Sequence, residues 1–389
     1  MKTNPALLAL AMGAFGIGVT EFTPMGMLPL MATDLGVSIP AAGLVVSAYA
    51  LGVLVGAPLV TLAAARVPRR RLLIGLMAIF TLGNAMAALA DSYATLVAAR
   101  LVTSLNHGAF FGVGAVVAAR LVPPERRAAA VAAMFSGLTL ATIGGVPLAA
   151  WIGEVLGWRT AFWGIAGVGV LAMLALAAAL PDLRAEAGAD MRAELRVLVR
   201  GPVLAALGLT VVGASAMFTV FTYIVPILRV ETEASVGFVT AMLVLYGAGL
   251  AAGNWLGGRL ADRSVDGTIA AALAGLVVLL LLLAATLRWE AAVAILIVLW
   301  GVASFALVPP LQMRVMNEAQ EAPNLASAMN IGAFNFGNAI GAAAGGAVID
   351  AGLGYPAVPL AGAAMAGAGL LMLAALRRNR PRLPVSATC

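Results

Sequence analysis

The sequence predicts an all-α membrane protein of twelve transmembrane helices, in two pseudo-symmetric bundles of six. Three observations predict it: a composition too apolar for a soluble surface, twelve separate apolar stretches of spanning length, and basic residues concentrated in alternate connecting segments. Of 389 residues, 62% are hydrophobic and 10% are charged, where a soluble domain carries roughly 25% charged residues. In a bilayer, apolar side chains can face lipid instead of water.

A span needs about 20 mostly apolar residues. Reading between charged and Pro/Gly-rich breaks gives 6–30, 40–64, 72–90, 95–121, 128–152 and 158–180, then 203–228, 235–259, 269–287, 291–313, 324–349 and 355–376. The N-terminal run lacks a small-residue cleavage site and reads as a first span rather than a signal peptide. The polar stretch 181–202 divides the chain into an N-terminal bundle (1–180) and a C-terminal bundle (203–376), followed by a basic tail (377–389). Its mixed charges, with Leu195, Leu198 and Val199 near helical spacing, suit an amphipathic linker helix on the cytoplasmic surface.

Orientation follows from Lys and Arg. With both termini in the cytoplasm, all of the 23 basic residues except Arg100, Arg159, Arg229 and Arg288 fall in cytoplasmic segments. The net charge of +6, which in a soluble protein would point to nucleic acid, is explained by topology. The single cysteine, Cys389, leaves no disulfide framework and no cysteine-based metal site. One histidine and one terminal cysteine are also too little for a membrane-embedded enzyme. No Gly-rich phosphate loop suggests ATP use, and no filter-like loop suggests a channel.

The two halves echo each other. GAPLVTLAAARVPRRR (56–71) and GGRLADRSVDG (257–267) both end a Gly-containing helix in a turn with Arg. AAWIGEVLGW (149–158) and GGAVIDAGLGY (345–355) both run from small residues to an acid, then Gly and an aromatic. Such echoes at matching places suit a duplicated transporter.

On these motifs the chain resembles the major facilitator superfamily along nearly its whole length. GGRLADR (257–263) resembles its signature loop, whereas the first-half copy has Ala65 in place of the acid and Pro68 in place of Gly. GLTLATIGGVPLAAWIG (137–153) is similar to the fifth span of its proton-driven exporters. VTEFTPMGMLPLMATDLGVS (19–38) and LNHGAFFGVGAVVAARLVPPERRAAAVAAMF (105–135) are similar to bacterial sugar-efflux and arabinose-type efflux permeases, neighbours of chloramphenicol and purine-nucleoside exporters. The resemblance implies export of a small organic compound (a sugar, an amphenicol-like drug or a nucleoside) by alternating access. Protons would be the coupling ion, with no other cofactor. The transporter would be a monomer in the cytoplasmic membrane, in contact with lipid and not with nucleic acid. Uptake by symport or facilitated diffusion in the same fold is the alternative.

Glu21, in GVTEFTPMG, is the only carboxylate deep in a span. Charge there is costly and marks function by default. It reads as a proton-coupling or substrate-binding group, against a carboxylate permanently paired to position span 1. His107, beside Asn106 in span 4, binds substrate, exchanges protons, or is hydrogen-bonded between helices. Arg100 stabilises a nearby carboxylate or snorkels to the headgroups. Asp34 pairs with a base or caps a helix. The resemblance places spans 1, 4, 7 and 10 around the cavity and gives Gly257, Asp262 and Arg263 to a cytoplasmic gate, where Arg66 and Arg70 either join the latch or only set topology. Gly144, Gly145 and Pro147 make span 5 a hinge between rocking halves, or only pack closely. Cavity candidates are Phe218 and Tyr223 in span 7, Trp300 and Phe305 in span 10, and Asn330, Phe334 and Asn335 in span 11. Helix-to-helix hydrogen bonding is the other role open to the asparagines.

Overall fold

The computed structural model describes residues 4–63, 66–123, 127–182, 196–197, 199–321 and 323–378. Among them, eleven helical stretches are long and apolar enough to cross a membrane. A twelfth, Pro323–Asp350, has the length, and its apolar character is diluted by the buried Asn330, Asn335 and Asn338. The expected linker helix at 181–202 lies mostly outside the described residues, as do Ala65 and most of the basic tail.

Span 1 comprises Pro5–Gly26 and Leu28–Asp34; span 2 is Ile39–Ala63; span 3 is Arg69–Ala88; span 4 comprises Tyr93–Ser104 and His107–Arg120. Span 5 runs from Arg127–Leu140 through a π-helical turn, Ala141–Gly145, into Val146–Leu156; span 6 is Trp158–Ala179. Span 7 comprises Gly201–Phe221 and Ile224–Glu231; span 8 is Val236–Ala261; span 9 is Val265–Thr286. Span 10 comprises Glu290–Ala306 and Val308–Glu318; span 11 is Pro323–Asp350; span 12 is Ala357–Arg378. Side-chain caps start several of these helices. Ser92 and Thr95 form a reciprocal capping box on span 4, and Ser235 and Ser264 cap spans 8 and 9. Gly157, at φ +89°, makes the tight turn from span 5 to span 6 that a side chain would strain.

Spans 1, 4, 7 and 10, expected as continuous helices, are each broken. Span 1 breaks at Met27, three residues after Pro24, and span 7 breaks at Tyr223, three before Pro226. Span 10 breaks at Leu307, ahead of Pro309 and Pro310, and span 4 breaks at Leu105–Asn106 without a proline. Broken helices survive at membrane depth where protein covers the freed backbone groups. Spans 1 and 7 meet that condition best, with 72% of the most apolar window of each buried. Lipid is left to side chains such as Leu148, Trp151, Leu171 and Leu174, all exposed.

The duplication is visible in the packing. Span 1 lies on spans 5 and 6 as span 7 lies on spans 11 and 12; span 2 packs on 4 as span 8 on 10; span 3 packs on 6 as span 9 on 12. Glycines set the close approaches. A Cβ on Gly137 of span 5 would stand 2.0 Å from the Ala11 carbonyl oxygen of span 1. A Cβ on Gly337 of span 11 would stand 2.4 Å from that of Val211 in span 7. The halves meet along spans 2 and 11 and along spans 5 and 8.

Candidate functional site

The four broken spans, joined by Tyr49 of span 2, Asn84 of span 3, Tyr246 of span 8 and Phe334 of span 11, carry the polar and aromatic groups at the centre. On the N-terminal side, Glu21 of span 1 is 4% exposed. Its carboxylate has no hydrogen-bond or ion-pair partner among the described residues. Arg100 of span 4 is 0% exposed. It donates through Nη1 to the Thr20 carbonyl oxygen at 2.9 Å and to Thr20 Oγ1 at 3.2 Å. Its guanidinium lies over the Tyr49 ring of span 2, 4.1 Å from the centroid. Arg100 therefore does not snorkel. Nε and Nη2 remain buried without a partner, and Glu21 lies within its Coulomb reach.

The Tyr49 hydroxyl is 3.0 Å from His107 Nδ1, and the His107 ring lies 5.2 Å from that of Phe111. His107 thus reaches the Glu21 neighbourhood through Tyr49 and Arg100 rather than by direct contact. Thr20 Oγ1 donates to Asn84 Oδ1 of span 3 at 2.5 Å, tying a fourth span to this cluster. Asn106 spends its amide on the Thr103 carbonyl at 2.9 Å and leaves Oδ1 unpaired.

The C-terminal half faces this charge cluster with rings. Phe22, next to Glu21, lies 6.1 Å from Phe218 and 5.9 Å from Phe221 of span 7. Phe221 stacks on Tyr246 of span 8 at 4.6 Å, Tyr246 lies 4.4 Å from Trp300 of span 10, and Phe218 meets Phe334 of span 11 at 5.5 Å. A cavity of about 10 Å3 lies between Phe22, Phe221 and Tyr246 and the span 5 and span 8 residues Thr142, Val146, Leu243 and Leu250, room for roughly one water. Trp300 Nε1, Ser304 Oγ and the Tyr246 hydroxyl are buried without a hydrogen-bond partner, as are Asn335 Oδ1 and both polar atoms of Asn338.

The remaining candidates lie elsewhere. Tyr223 sits at the seam of spans 2 and 11, donating to the Ala342 carbonyl at 2.8 Å and lying against Gly43 and Gly346. Asn330 belongs to a chain that braces spans 7, 10 and 11: it accepts from Thr210 at 2.7 Å and donates to Gln312, which donates to Ser327. Phe305 is half-buried against the core. Arg70 donates to the Ala177 carbonyl and lies 4.0 Å from Asp182, joining spans 3 and 6 within one half. Arg66, Asp262 and Arg263 are exposed, and Gly257 lets span 8 approach the Ala306 carbonyl of span 10.

Gly144 and Gly145 lie in the π turn of span 5, and Pro147 follows it. The turn presents Thr142 and Ile143 to Gly247 of span 8, so this local irregularity lies where the halves touch. Asp34 pairs with Arg159 at 2.5 Å and accepts from Trp158 Nε1 at 3.2 Å. The Arg159 hydrogen bond holds its carboxyl below the usual range.

Sequence reasoning did not single out Tyr49, Thr20, Phe22 or Tyr246. The internal repeat held a signal for two of them. Tyr49 and Tyr246 are each the eleventh residue of their helices, spans 2 and 8. One carries the arginine on its ring, and the other carries the tryptophan.

The description Major Facilitator Superfamily attaches to a family profile that matches residues 10–331. The chain is 58% identical over 381 residues to the inner membrane transport protein YdhP of Escherichia coli K12, covering 98% of each. It is 36% identical to the putative transporter AraJ of the same strain (94% and 93% covered). To the chloramphenicol resistance protein of Streptomyces lividans it is 37% identical (90% and 89% covered). Among solved structures, the human organic anion transporter MFSD10 (TETRAN) superposes with a TM-score of 0.66 at 18% identity, covering 95% of this chain and 98% of that one, a likeness of fold alone. The profile match and the full-length relatives, together with the twelve helices and their repeat, establish that this chain belongs to the Major Facilitator Superfamily, a family of membrane transporters.

Proposed function

We propose that the protein exports a small organic compound across the bacterial inner membrane in exchange for protons, by alternating access between halves 1–180 and 203–376 with both termini in the cytoplasm. The observation that carries this is Glu21. It is buried and unpaired in the N-terminal half, next in sequence to Phe22 at the seam, and a buried cation within Coulomb reach keeps two N–H groups free. A carboxyl so placed has two stable options at bilayer depth, a proton or a charged partner. Switching between them requires Arg100 and Glu21 to shift relative to each other, which a movement of span 1 against span 4 supplies.

The conformation fits one end of such a cycle. At the end where spans 1 and 7 terminate, their short outer helices touch. There Tyr223 plugs the seam, and Arg229 of span 7 pairs with Glu154 of span 5 at 3.7 Å. At the opposite end, Arg66, Asp262 and Arg263 are exposed. With that end in the cytoplasm, the transporter is closed to the outside. The names of two relatives, an inner membrane transport protein and a chloramphenicol resistance protein, support the location and the outward direction.

The test is reconstitution in liposomes holding a pH-sensitive dye, with an imposed proton gradient and a panel of sugars, amphenicols and nucleosides. Substrate-dependent proton movement is expected, and Glu21→Gln should abolish it while inserting normally. Proton movement at the parental rate in Glu21→Gln would remove the coupling role. Substrate flux without proton movement would assign facilitated diffusion and return Glu21 to a structural task.

A further inference from the structure

We infer that the cleft where spans 9, 10 and 12 come together at one end of the C-terminal half binds a phosphate group, carried on a lipid headgroup or free in solution. The site lies away from the centre of the protein and is independent of what the protein carries. Only its assignment to the cytoplasmic face uses the orientation proposed above.

The cleft has a volume of about 260 Å3 and is lined by Ser264, Val265, Asp266, Arg314 and Asn317. A water's share of liquid volume is about 30 Å3, and small-molecule sites begin at about 300 Å3. There is room for a phosphate and the first atoms of whatever bears it. Arg314, on the segment Val308–Glu318 of span 10, is 5% exposed. It spends Nη1 on Asp266 in the first turn of span 9, while Nε is buried without a partner and Nη2 bonds no described residue. Buried donors are nearly always paired, so a guanidinium with two idle nitrogens beside a cleft calls for an acceptor from outside. Arg377, at the end of span 12, lies 3.5 Å from the other oxygen of Asp266. Two guanidiniums therefore share one carboxylate, which leaves a surplus of one positive charge.

The rest of the lining adds donors. Ser264 caps span 9, its Oγ accepting from the Gly267 amide at 3.0 Å, and its own hydroxyl hydrogen is left to give. The amide of Val265, the first residue of the helix, has no acceptor within it, and the helix dipole adds partial positive charge at this end. Asn317, exposed one turn beyond Arg314, offers a side-chain amide. A cation would meet the surplus charge, and a neutral ligand would leave it uncompensated. A phosphate presents several acceptor oxygens, carries negative charge, and fits both the guanidinium fork and a helix N-terminus.

The depth of the cleft suits a lipid source. On span 8, shortly before the Ser264 cap, exposed Trp255 carries the exposed Arg259 guanidinium 5.5 Å from its ring. Such an aromatic and basic pair marks the membrane–water interface. Arg377 and Arg378 end span 12, and basic clefts between spans at this level recognise phosphate headgroups.

The experiment is a binding titration of the full-length protein in dodecyl maltoside, read by native mass spectrometry and calorimetry. The probes are phosphatidylglycerol, diacylglycerol with the same chains and no phosphate, and inorganic phosphate alone. Phosphatidylglycerol should bind at least about tenfold more tightly than diacylglycerol. Arg314→Gln should weaken that binding about fivefold or more. If Arg314→Gln folds poorly, Asn317→Asp, which places a negative charge on the exposed wall of the cleft, should weaken it by a similar factor. Arg127→Gln, the same loss of charge at an exposed position of the other half, should change nothing. Displacement of the lipid by millimolar phosphate would assign the site to the free ion, and retention of the lipid would assign it to the headgroup; either upholds the site. Equal binding of the two lipids together with no binding of phosphate would overturn the inference. So would unchanged affinity for phosphatidylglycerol in whichever variant folds.

Discussion

A single methyl group at Gly247 should reset the conformational balance of the protein. In the present conformation a Cβ on Gly247 would stand 2.2 Å from the Thr142 carbonyl oxygen, 2.6 Å from its carbon and 2.9 Å from Ile143 Cα. All three atoms are backbone of the π turn in span 5, so no side chain can rotate away. A carbon rests about 3.3 Å from a carbonyl oxygen at closest, so spans 5 and 8 must part by about 1 Å. Overpacking of this kind costs about 1–3 kcal/mol, and these helices belong to opposite halves. Gly247→Ala should therefore disfavour the present state by roughly 5- to 150-fold relative to one in which the seam is open. With Cys389 replaced by Ser, spin labels at Leu156→Cys and Ala241→Cys would report the distance across the seam. A longer, newly dominant distance is expected in Gly247→Ala. Gly258→Ala, which meets nothing within 4 Å, is the control and should leave the distribution unchanged. Identical distances in Gly247→Ala and the parent would refute the claim that this contact is rigid and separates the two states.

The Arg229–Glu154 pair is 36% and 22% exposed, so it should contribute at most about 1 kcal/mol. Arg229→Glu should raise labelling of a cysteine introduced at the outer end, the swap with Glu154→Arg should restore the parental level, and the difference should shrink in 1 M salt. For Asp34, whose carboxyl is held low by Arg159, the ionised form is the stabilising one. Its contribution is present above the ordinary carboxylate range and is lost as pH falls through the lowered value. Asp34→Asn should thus lower the melting temperature slightly at pH 7, with the gap to the parent closing on acidification. A gap that widens in acid would contradict the assignment.

Much of this architecture is legible in the amino-acid chain because bilayer physics is simple. Twelve apolar stretches follow from hydration cost, the asymmetry of Lys and Arg between alternate connecting segments follows the positive-inside rule, and Glu21 stands out because a carboxylate in that setting is expensive. The breaks were less visible. Pro24, Pro226 and Pro309 hint at three of them, but span 4 bends at Leu105–Asn106 with no proline to announce it. The roles of polar side chains were hardest to read, since hydropathy cannot tell which neighbour a group will meet. Asn330 and Asn338 stand eight residues apart on one helix, yet Asn330 is tied into the Thr210–Gln312 chain and Asn338 has no partner at either polar atom. Tyr49 and Tyr246 look like ordinary core residues until the fold brings Arg100 over one and Trp300 against the other.

The two Tyr49-type positions also say something about how such a chain can change over time. Both copies of the ancestral half keep the same backbone meshing, with Gly137 on Ala11 and Gly337 on Val211. Their centres have nonetheless parted company: Glu21, Arg100 and His107 all belong to the first copy, while five of the six clustered rings belong to the second. A lineage built this way can trade Phe221 or Trp300 for other shapes while the charged cluster of Glu21, Arg100 and Tyr49 stays untouched in the sister copy.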